Sequence, residues 1–432
     1  MNIYLNLLNK YFVIVSIMIY KLLIELLYIY YIYPKYEYMG FSLEINGYKM
    51  FLSWILLTLL ILYIPKLKNT PSTLVVLLVI LIMIIPLSSF YWLQNQSTAF
   101  FVACITSIGV TIILTKYIPS IRFEKIQLSP KYFYFVSYTF SLFVLGVIIY
   151  FNGKPSLTAV NFNNVYTVRG QFNYGFGLMP YLLNWQALVL NPLLFLLFLK
   201  NRKYSRVFVF AVLQFIIYLY TGHKSYLFLI IIAPFIMYFL KFKRITIYII
   251  WSFILGGIIS WVSYLVLSNL WPMALYVHRL LYLPAQISYQ FFEYFSENGY
   301  VMLSHSVFGS LFSAPVYDKH PILIIGEIYH GNNWPNTGYL ADAFMNFGYI
   351  GMLIFSIIFA LLLKILDSFS YNKGKDVITA MSILYVIYFI SSALLTTLMN
   401  GGLLFLFFLL ILIPEQELET SKLDTIFERR NI

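Results

Sequence analysis

The run LVVLLVILIMIIP, Leu74–Pro86, decides the fold class. It carries no polar side chain and no period-two alternation. A lipid-facing β-strand of a barrel would alternate apolar and polar positions. In lipid, only helices and closed barrels satisfy every backbone N–H and C=O, so the run reads as helix. Leu403–Ile413, LLFLFFLLILI, repeats the pattern near the other end of the chain. The composition agrees: 432 residues, 61% hydrophobic and 10% charged, where soluble domains carry roughly 25% charged residues. Mean hydropathy is +0.82. The chain reads as an all-α polytopic membrane protein, one integral domain over 1–432 without linkers, low-complexity tracts or clear repeats. The first apolar segment lacks a small-residue cleavage site and reads as a span, not a cleaved signal. The single cysteine, Cys104, sits in an apolar run, which excludes a disulfide framework and a thiolate metal cluster.

About twelve spans of near the ~20 residues a bilayer needs are expected at 11–33, 49–64, 73–92, 97–117, 132–151, 179–199, 206–220, 225–240, 245–268, 343–366, 376–395 and 401–414. The second, seventh and last are the shortest. The net charge of +12 invites a nucleic-acid reading, but the placement of the charges accounts for it otherwise. With the N-terminus inside, twenty of the 28 basic residues fall on the cytoplasmic side: Lys10, Lys66, Lys68, Lys116, Arg122, Lys125, Lys131, Lys200, Arg202, Lys203, Arg206, Lys241, Lys243, Arg244, Lys364, Lys373, Lys375, Lys422, Arg429 and Arg430. Lys35, Lys49, Lys154, Arg169, Lys224, Arg279 and Lys319 fall outside, and Lys21 lies within a span. This asymmetry sets the orientation and leaves 415–432 as a cytoplasmic tail. No nucleic-acid partner is implied.

Two long loops, 152–178 and 269–342, then lie outside, and all five histidines fall on that side. Long loops in compact proteins are commonly functional. Within the second, Ala274–Phe295 has helical-period apolar residues and reads as an amphipathic helix on the membrane surface.

Outer cations are not explained by topology, and they carry the functional reading. Arg169, beside Gly170, Gly175 and Gly177, suits an anion, because its planar fork can hold phosphate oxygens in pairs. The alternative is a contact to lipid headgroups. Lys224, in the turn Thr221-Gly-His-Lys-Ser225, sits where a helix begins, so N-terminal N–H groups add to its charge. A snorkelling lysine is the bland reading. His223 adjoins it. Arg279 is flanked by His278, with Tyr282 one turn on to wall the same site. His305 is a candidate general base, and Glu293 and Glu297 are rivals that could equally form a solvated face. Asp342 precedes Phe344 and Phe347 at the start of a span, a depth at which a carboxylate is costly. Lys21 and Glu25, spaced i, i+4, read as a structural pair. The outer loops show no metal-ligand spacing, so neither a protein-bound metal nor a cofactor is expected.

Three stretches carry a resemblance: Thr-Gly-His-Lys-Ser followed by a span, Arg279 followed by Pro284, and Asn336-Thr-Gly-Tyr-Leu-Ala-Asp-Ala-Phe-Met-Asn-Phe-Gly-Tyr-Ile-Gly351. In this order and topology the chain resembles the Wzy-type oligosaccharide repeat-unit polymerases of O-antigen and capsule synthesis, relatives of the O-antigen ligases. The resemblance implies a GT-C-like helical fold in the bacterial cytoplasmic membrane, with the active face outside. It implies a donor glycan joined through diphosphate to a polyprenyl carrier, an attacking hydroxyl on a second lipid-linked unit, and release of polyprenyl diphosphate. Arg169, Lys224 and Arg279 would stabilise that leaving group, and His305 or Asp342 would take the proton. Asn336 and Asp342 would touch sugar hydroxyls at the rim of a cavity. Membrane lipid and a chain-length regulator protein are the further partners it allows. Ligases place a histidine shortly before the Gly-x-x-Gly segment, where this chain has Asn336 or Thr337; that favours polymerase over ligase. A lipid-linked oligosaccharide flippase would need polar groups through the full membrane depth, and a scaffold protein would not need outer arginines.

Overall fold

The computed structural model describes residues 2–63, 69–119, 126, 128–306, 309, 314–331, 333–371 and 374–418. Lys66, Lys68, Arg122, Lys125, Lys373, Lys422, Arg429 and Arg430, with 419–432 of the expected tail, lie outside the described residues. The described chain is 79% helix without strands. Nine of its helices are long and apolar enough to cross a membrane, as expected of a polytopic membrane protein.

In chain order the main helices are α1 (Asn2–Leu27), α2 (Gly47–Leu62), α3 (Pro71–Leu93), α4 (Thr98–Tyr117), α5 (Pro130–Asn152), the short α6 (Val165–Gln171), α7 (Met179–Lys200), α8 (Tyr204–Thr221), α9 (Lys224–Phe239), α10 (Ile245–Leu267), α11 (271–298), α12 (Pro321–Tyr329), α13 (Tyr339–Ser370), α14 (Lys375–Ser391), α15 (Leu394–Leu398) and α16 (Leu403–Leu412). Each expected span contains helix among the described residues, but the eleventh, 376–395, crosses a break at 392–393 and the twelfth, 401–414, begins in a turn. The seventh grows to 18 residues, and α15 and α16 together span Leu394–Leu412. Three helices fall short of the length: α2 and α9 at 16 residues and α14 at 17. At about 1.5 Å per residue these reach roughly 25 Å, against a hydrocarbon core of about 30 Å. α13 runs past the expected end at 366, so Lys364 and Asp367 are buried within it, not at a loop.

Prolines sit inside several of these helices without ending them. The π-helical turns Tyr28–Ile32, Ile80–Ile84, Trp185–Leu190 and Ala274–Tyr282 each stand just before a proline: Pro34, Pro86, Pro192 and Pro284. A proline lacks the N–H for the i−4 carbonyl, and its ring collides with it. Widening the preceding turn makes room for the ring and lets the helix continue.

The chain divides into two compact units. The first comprises Met1–Pro119, Lys243–Lys364 and Val386–Leu395. In it α1 packs on α10, close enough that a Cβ on Gly257 would lie 2.8 Å from Leu23. Lys21 and Glu25 form the expected pair, 2.6 Å apart and buried. Ser88 accepts from the Lys21 ammonium at 3.0 Å, and the Trp92 indole N–H donates to Glu25 at 2.8 Å. The pair thus ties α1 to α3. α11 is helical as expected, but its apolar stripe is built into this core: Tyr282 meets Tyr28 at 4.9 Å between ring centres, and Tyr289 meets Phe90 and Phe100.

The second unit comprises Ser120–Phe242, Ile365–Tyr385 and Thr396–Ile432. Its centre holds a chain of buried amides. Gln186 donates to Ser141 and to Asn191; Asn191 donates to Gln214 at 2.8 Å; Gln214 donates to the carbonyls of Ala187 and Tyr226, each at 2.9 Å. Ala187 lies five residues before Pro192, so its carbonyl is the one a π-turn N–H at 192 would have reached. Gln214 supplies the missing donor.

Removing one partner of a buried ion pair strands the other, at a cost of about 3–5 kcal/mol, whereas replacing both by apolar groups is far milder. Lys21→Met and Glu25→Leu should each lower the thermal unfolding midpoint in detergent, and the double variant should lie closer to wild type than either. A double variant no better than the worse single would show that the pair does not hold α1 to α3.

Candidate functional site

The segment 152–178 is not an extended loop. Ala159, Val165 and Val168 bury against Tyr218 and Leu219 of α8, with Leu227 of α9 alongside. The Tyr218 hydroxyl donates to the Ala159 carbonyl and that of Tyr220 to the Gly153 carbonyl, both at 2.6 Å. Asn152 and Asn173 exchange hydrogen bonds across the ends of the segment. α6 is thereby laid on the turn between α8 and α9. Gly222 makes that turn with φ +62°, and a Cβ there would stand 2.5 Å from the Val165 carbonyl oxygen. Only glycine meets both the conformation and the close approach.

This packing brings together two residues that the sequence placed 55 positions apart. Arg169, exposed on α6, donates to the Gly222 carbonyl at 3.1 Å. Its guanidinium lies 5.5 Å from the Tyr166 ring centre, and the Lys224 ammonium lies 6.0 Å from the same ring and 5.2 Å from Phe162. Among the described residues neither cation has an ion-pair partner. His223, next to Lys224 in sequence, is half-buried, and burial, then the Arg169 charge, push its pKa from 6.5 down to about 4. It is neutral at pH 7. Burial raises the Tyr174 phenol, with Arg169 opposing. The signal that sequence reading missed is an absence: from Glu124 to Glu293 the chain has no Asp or Glu at all. Arg169 and Lys224, gathered by folding of that stretch, have no acid near them in sequence, whereas Lys203 of the same stretch reaches Glu417.

In the first unit the expected residues scatter. Arg279 is exposed on α11. Tyr282, expected to wall the same site, is fully buried, and its hydroxyl donates to the Ile24 carbonyl at 2.9 Å. The π-helical turn and the apolar stripe aim it into the core. His278 is buried and stacked on Tyr36, ring centres 3.8 Å apart, and burial, then Arg279, lower its pKa to about 4. His305 accepts at Nε2 from the Tyr317 N–H at 3.3 Å. That bond occupies the Nε2 lone pair of His305 within the fold. Burial, then His305, lower the pKa of neighbouring His320. Glu293 and Glu297 are exposed beside Tyr329, whose phenol is raised to about 12 by burial and then by these carboxylates.

The stretch Gly331–Gly351 is tied down more firmly than a cavity rim. Asn336 is exposed. Asp342, expected at the rim, is buried, with one carboxylate oxygen accepting from Asn346 and the other from the Leu394 backbone N–H, each at 3.1 Å. It caps the start of α15, where the chain breaks after α14. Asn346 accepts from the Leu303 N–H at 2.9 Å, fastening 301–304 to α13. α13 then kinks at Phe347 and Gly348, where Gly348 has φ +61° and a Cβ would strike Tyr300 at 2.6 Å. Among the described residues no three His, Cys, Asp or Glu side chains converge as a metal site would need.

Comparison of the chain with family models, with curated proteins and with solved structures found no match.

Two expectations test this geometry. Gly222→Ala forces both a strained φ and a collision, so segment 153–178 should lift from α8 and become sensitive to protease, with stability lower by about 1–3 kcal/mol. An unchanged digestion pattern would contradict the packing. Arg169→Ala should raise the His223 pKa as followed by NMR of histidine-labelled protein. In the wild type the depressed folded-state value means that stability is retained above about 6.5 and declines as pH falls towards about 4; in the variant that window should narrow.

Proposed function

We propose that this chain polymerises oligosaccharide repeat units carried on polyprenyl diphosphate, acting at the outer face of the bacterial cytoplasmic membrane. In this reading α2, α9 and α14 join the nine longer helices to make twelve spans, the architecture is GT-C-like, and segments 152–178 and 269–342 face outward. The observation that carries the reading is the pairing of Arg169 with Lys224 over Tyr166, on a stretch of chain devoid of carboxylates. A diphosphate leaving group needs such charge, and two preorganised cations can stabilise it as it grows in the transition state. The aromatic faces of Phe162 and Tyr166 beside the cations suit an adjoining sugar or isoprenoid.

The reaction is displacement at carbon. A hydroxyl of one lipid-linked unit attacks C1 of the donor sugar, the C1–O bond to the diphosphate breaks, and polyprenyl diphosphate leaves with the electron pair and takes up the hydroxyl proton. Arg169 and Lys224 hold the departing diphosphate. On the first unit, taken by itself, Arg279 is exposed and basic and remains a candidate for an anionic group, and exposed Asn336 is a hydrogen-bonding candidate for sugar. His278, Tyr282, His305 and Asp342 serve as supports in this account, because their polar atoms or rings are engaged within the fold. His223, neutral beside two cations, presents a hydrogen-bonding ring without adding charge.

Purified protein with a defined lipid-linked repeat should yield products longer than one unit. Arg169→Ala should reduce the rate by about 10²–10³-fold, the order seen when a transition-state donor is removed, while the protein still inserts and folds. Wild-type product length from Arg169→Ala and Lys224→Ala would remove them from the mechanism. In cells, loss of the gene should leave surface glycan of single repeat units; complete loss of surface glycan would favour a flippase or a ligase.

A further inference from the structure

The packed segment 153–178 turns an unusual surface to its surroundings. Its inner side is anchored by Ala159, Val165 and Val168. Its outer side bears Leu157, 73% exposed, Phe162, 46%, and Leu178, 67%, with Val160, Tyr166 and Phe176 also exposed. Soluble proteins seldom leave apolar side chains exposed in such number over one short segment, and large exposed patches mark an interaction site. The apolar surface continues onto helices at both ends. Phe162 meets Phe228 of α9 at 6.4 Å, and α9 exposes Ile231, Ile232 and Phe235 beyond it. Gly175 abuts the Phe151 ring of α5, beside exposed Tyr150 and Ile149. If α5 crosses a bilayer, those side chains face lipid, and the segment prolongs the same surface.

We propose that residues 153–178 are seated in the membrane interface, with Leu157, Phe162 and Leu178 at the boundary between headgroups and acyl chains. Aromatic residues favour that depth, where an apolar ring and a polar edge are both satisfied. Charge points the same way. Lys154 is exposed, no acid occurs between Glu124 and Glu293, and a basic, carboxylate-free surface suits anionic headgroups. Turns within the segment pair part of its backbone: the Ala159, Asn161, Asn164 and Val168 N–H groups donate to the carbonyls of Ser156, Thr158, Asn161 and Asn164, which lowers the cost of a non-aqueous setting. The inference does not rest on the polymerase reading. Under that reading it would mean that a lipid-borne diphosphate reaches Arg169 and Lys224 without leaving the headgroup layer.

The test uses the full chain in nanodiscs containing anionic and zwitterionic lipid. On a Cys104→Ser background, which removes the sole cysteine, nitroxide is attached at Leu157→Cys, Phe162→Cys or Leu178→Cys, with Phe235→Cys on α9 as the lipid reference. Greater spin relaxation by oxygen than by a water-soluble nickel complex at the three segment sites, as at the reference, is the expected result. Greater relaxation by nickel at those sites would overturn the proposal and leave a surface in water, open to a protein partner. Hydroxyl-radical footprinting of the unmodified chain gives a second readout. Phe162 and Phe176 should be protected in nanodiscs; oxidation there at the rate of a free aromatic would also overturn it. Neither readout involves glycan synthesis, so failure here is separable from failure of the proposed function.

Discussion

A backbone group with no water to bond must find a partner within the protein, and many of the described polar side chains serve that need. Buried away from water, an unpaired N–H or C=O costs on the order of a hydrogen bond or more. Prolines within apolar helices raise the problem most sharply, and the π-helical turns before them answer it. At Pro192 the answer reaches further, because Gln214 donates to the Ala187 carbonyl and is itself held by Asn191. The same logic runs through the tyrosines. Tyr218, Tyr220 and Tyr282 each spend their hydroxyl on a carbonyl outside their own helix. They act as pins between segments.

Seen from that constraint, the candidate site is what remains when backbone needs are met. Arg169 spends one guanidinium N–H on Gly222, which fixes its position, and among the described residues no acid pairs with the rest of its fork. Lys224 rests over aromatic rings, which hold an ammonium without neutralising it. By contrast Asp342 and Asn346 are committed to the Leu394 and Leu303 N–H groups. A polar residue in an apolar chain is therefore weak evidence of chemistry until its bonds have been traced.

Much of this was legible in the residues. Runs such as Leu74–Pro86 imply helix because lipid tolerates little else, and the i, i+4 spacing of Lys21 and Glu25 implies their pairing. The individual cations Arg169, Lys224 and Arg279 stand out against the positive-inside trend. Depth was not legible. Helical periodicity shows that Tyr282 and Arg279 neighbour each other along α11, but a π-helical turn changes the angle between successive side chains. It sends Tyr282 inward while Arg279 stays exposed. The bonds of His305 and Asp342 come from Tyr317 and Leu394, too far along the chain for any local pattern to foresee.

By itself the sequence determined an all-helical membrane protein, because long apolar runs partition into lipid and there must pair their backbone within the segment. It also determined that cations in the stretch from Glu124 to Glu293 would find no local acid. Which cations meet was decided only by tertiary structure. Arg169 joins Lys224 because Ala159, Val165 and Val168 bury against Tyr218 and because Gly222 admits the approach of Val165. That contact depends on steric fit between segments about fifty residues apart, and neither segment encodes it alone.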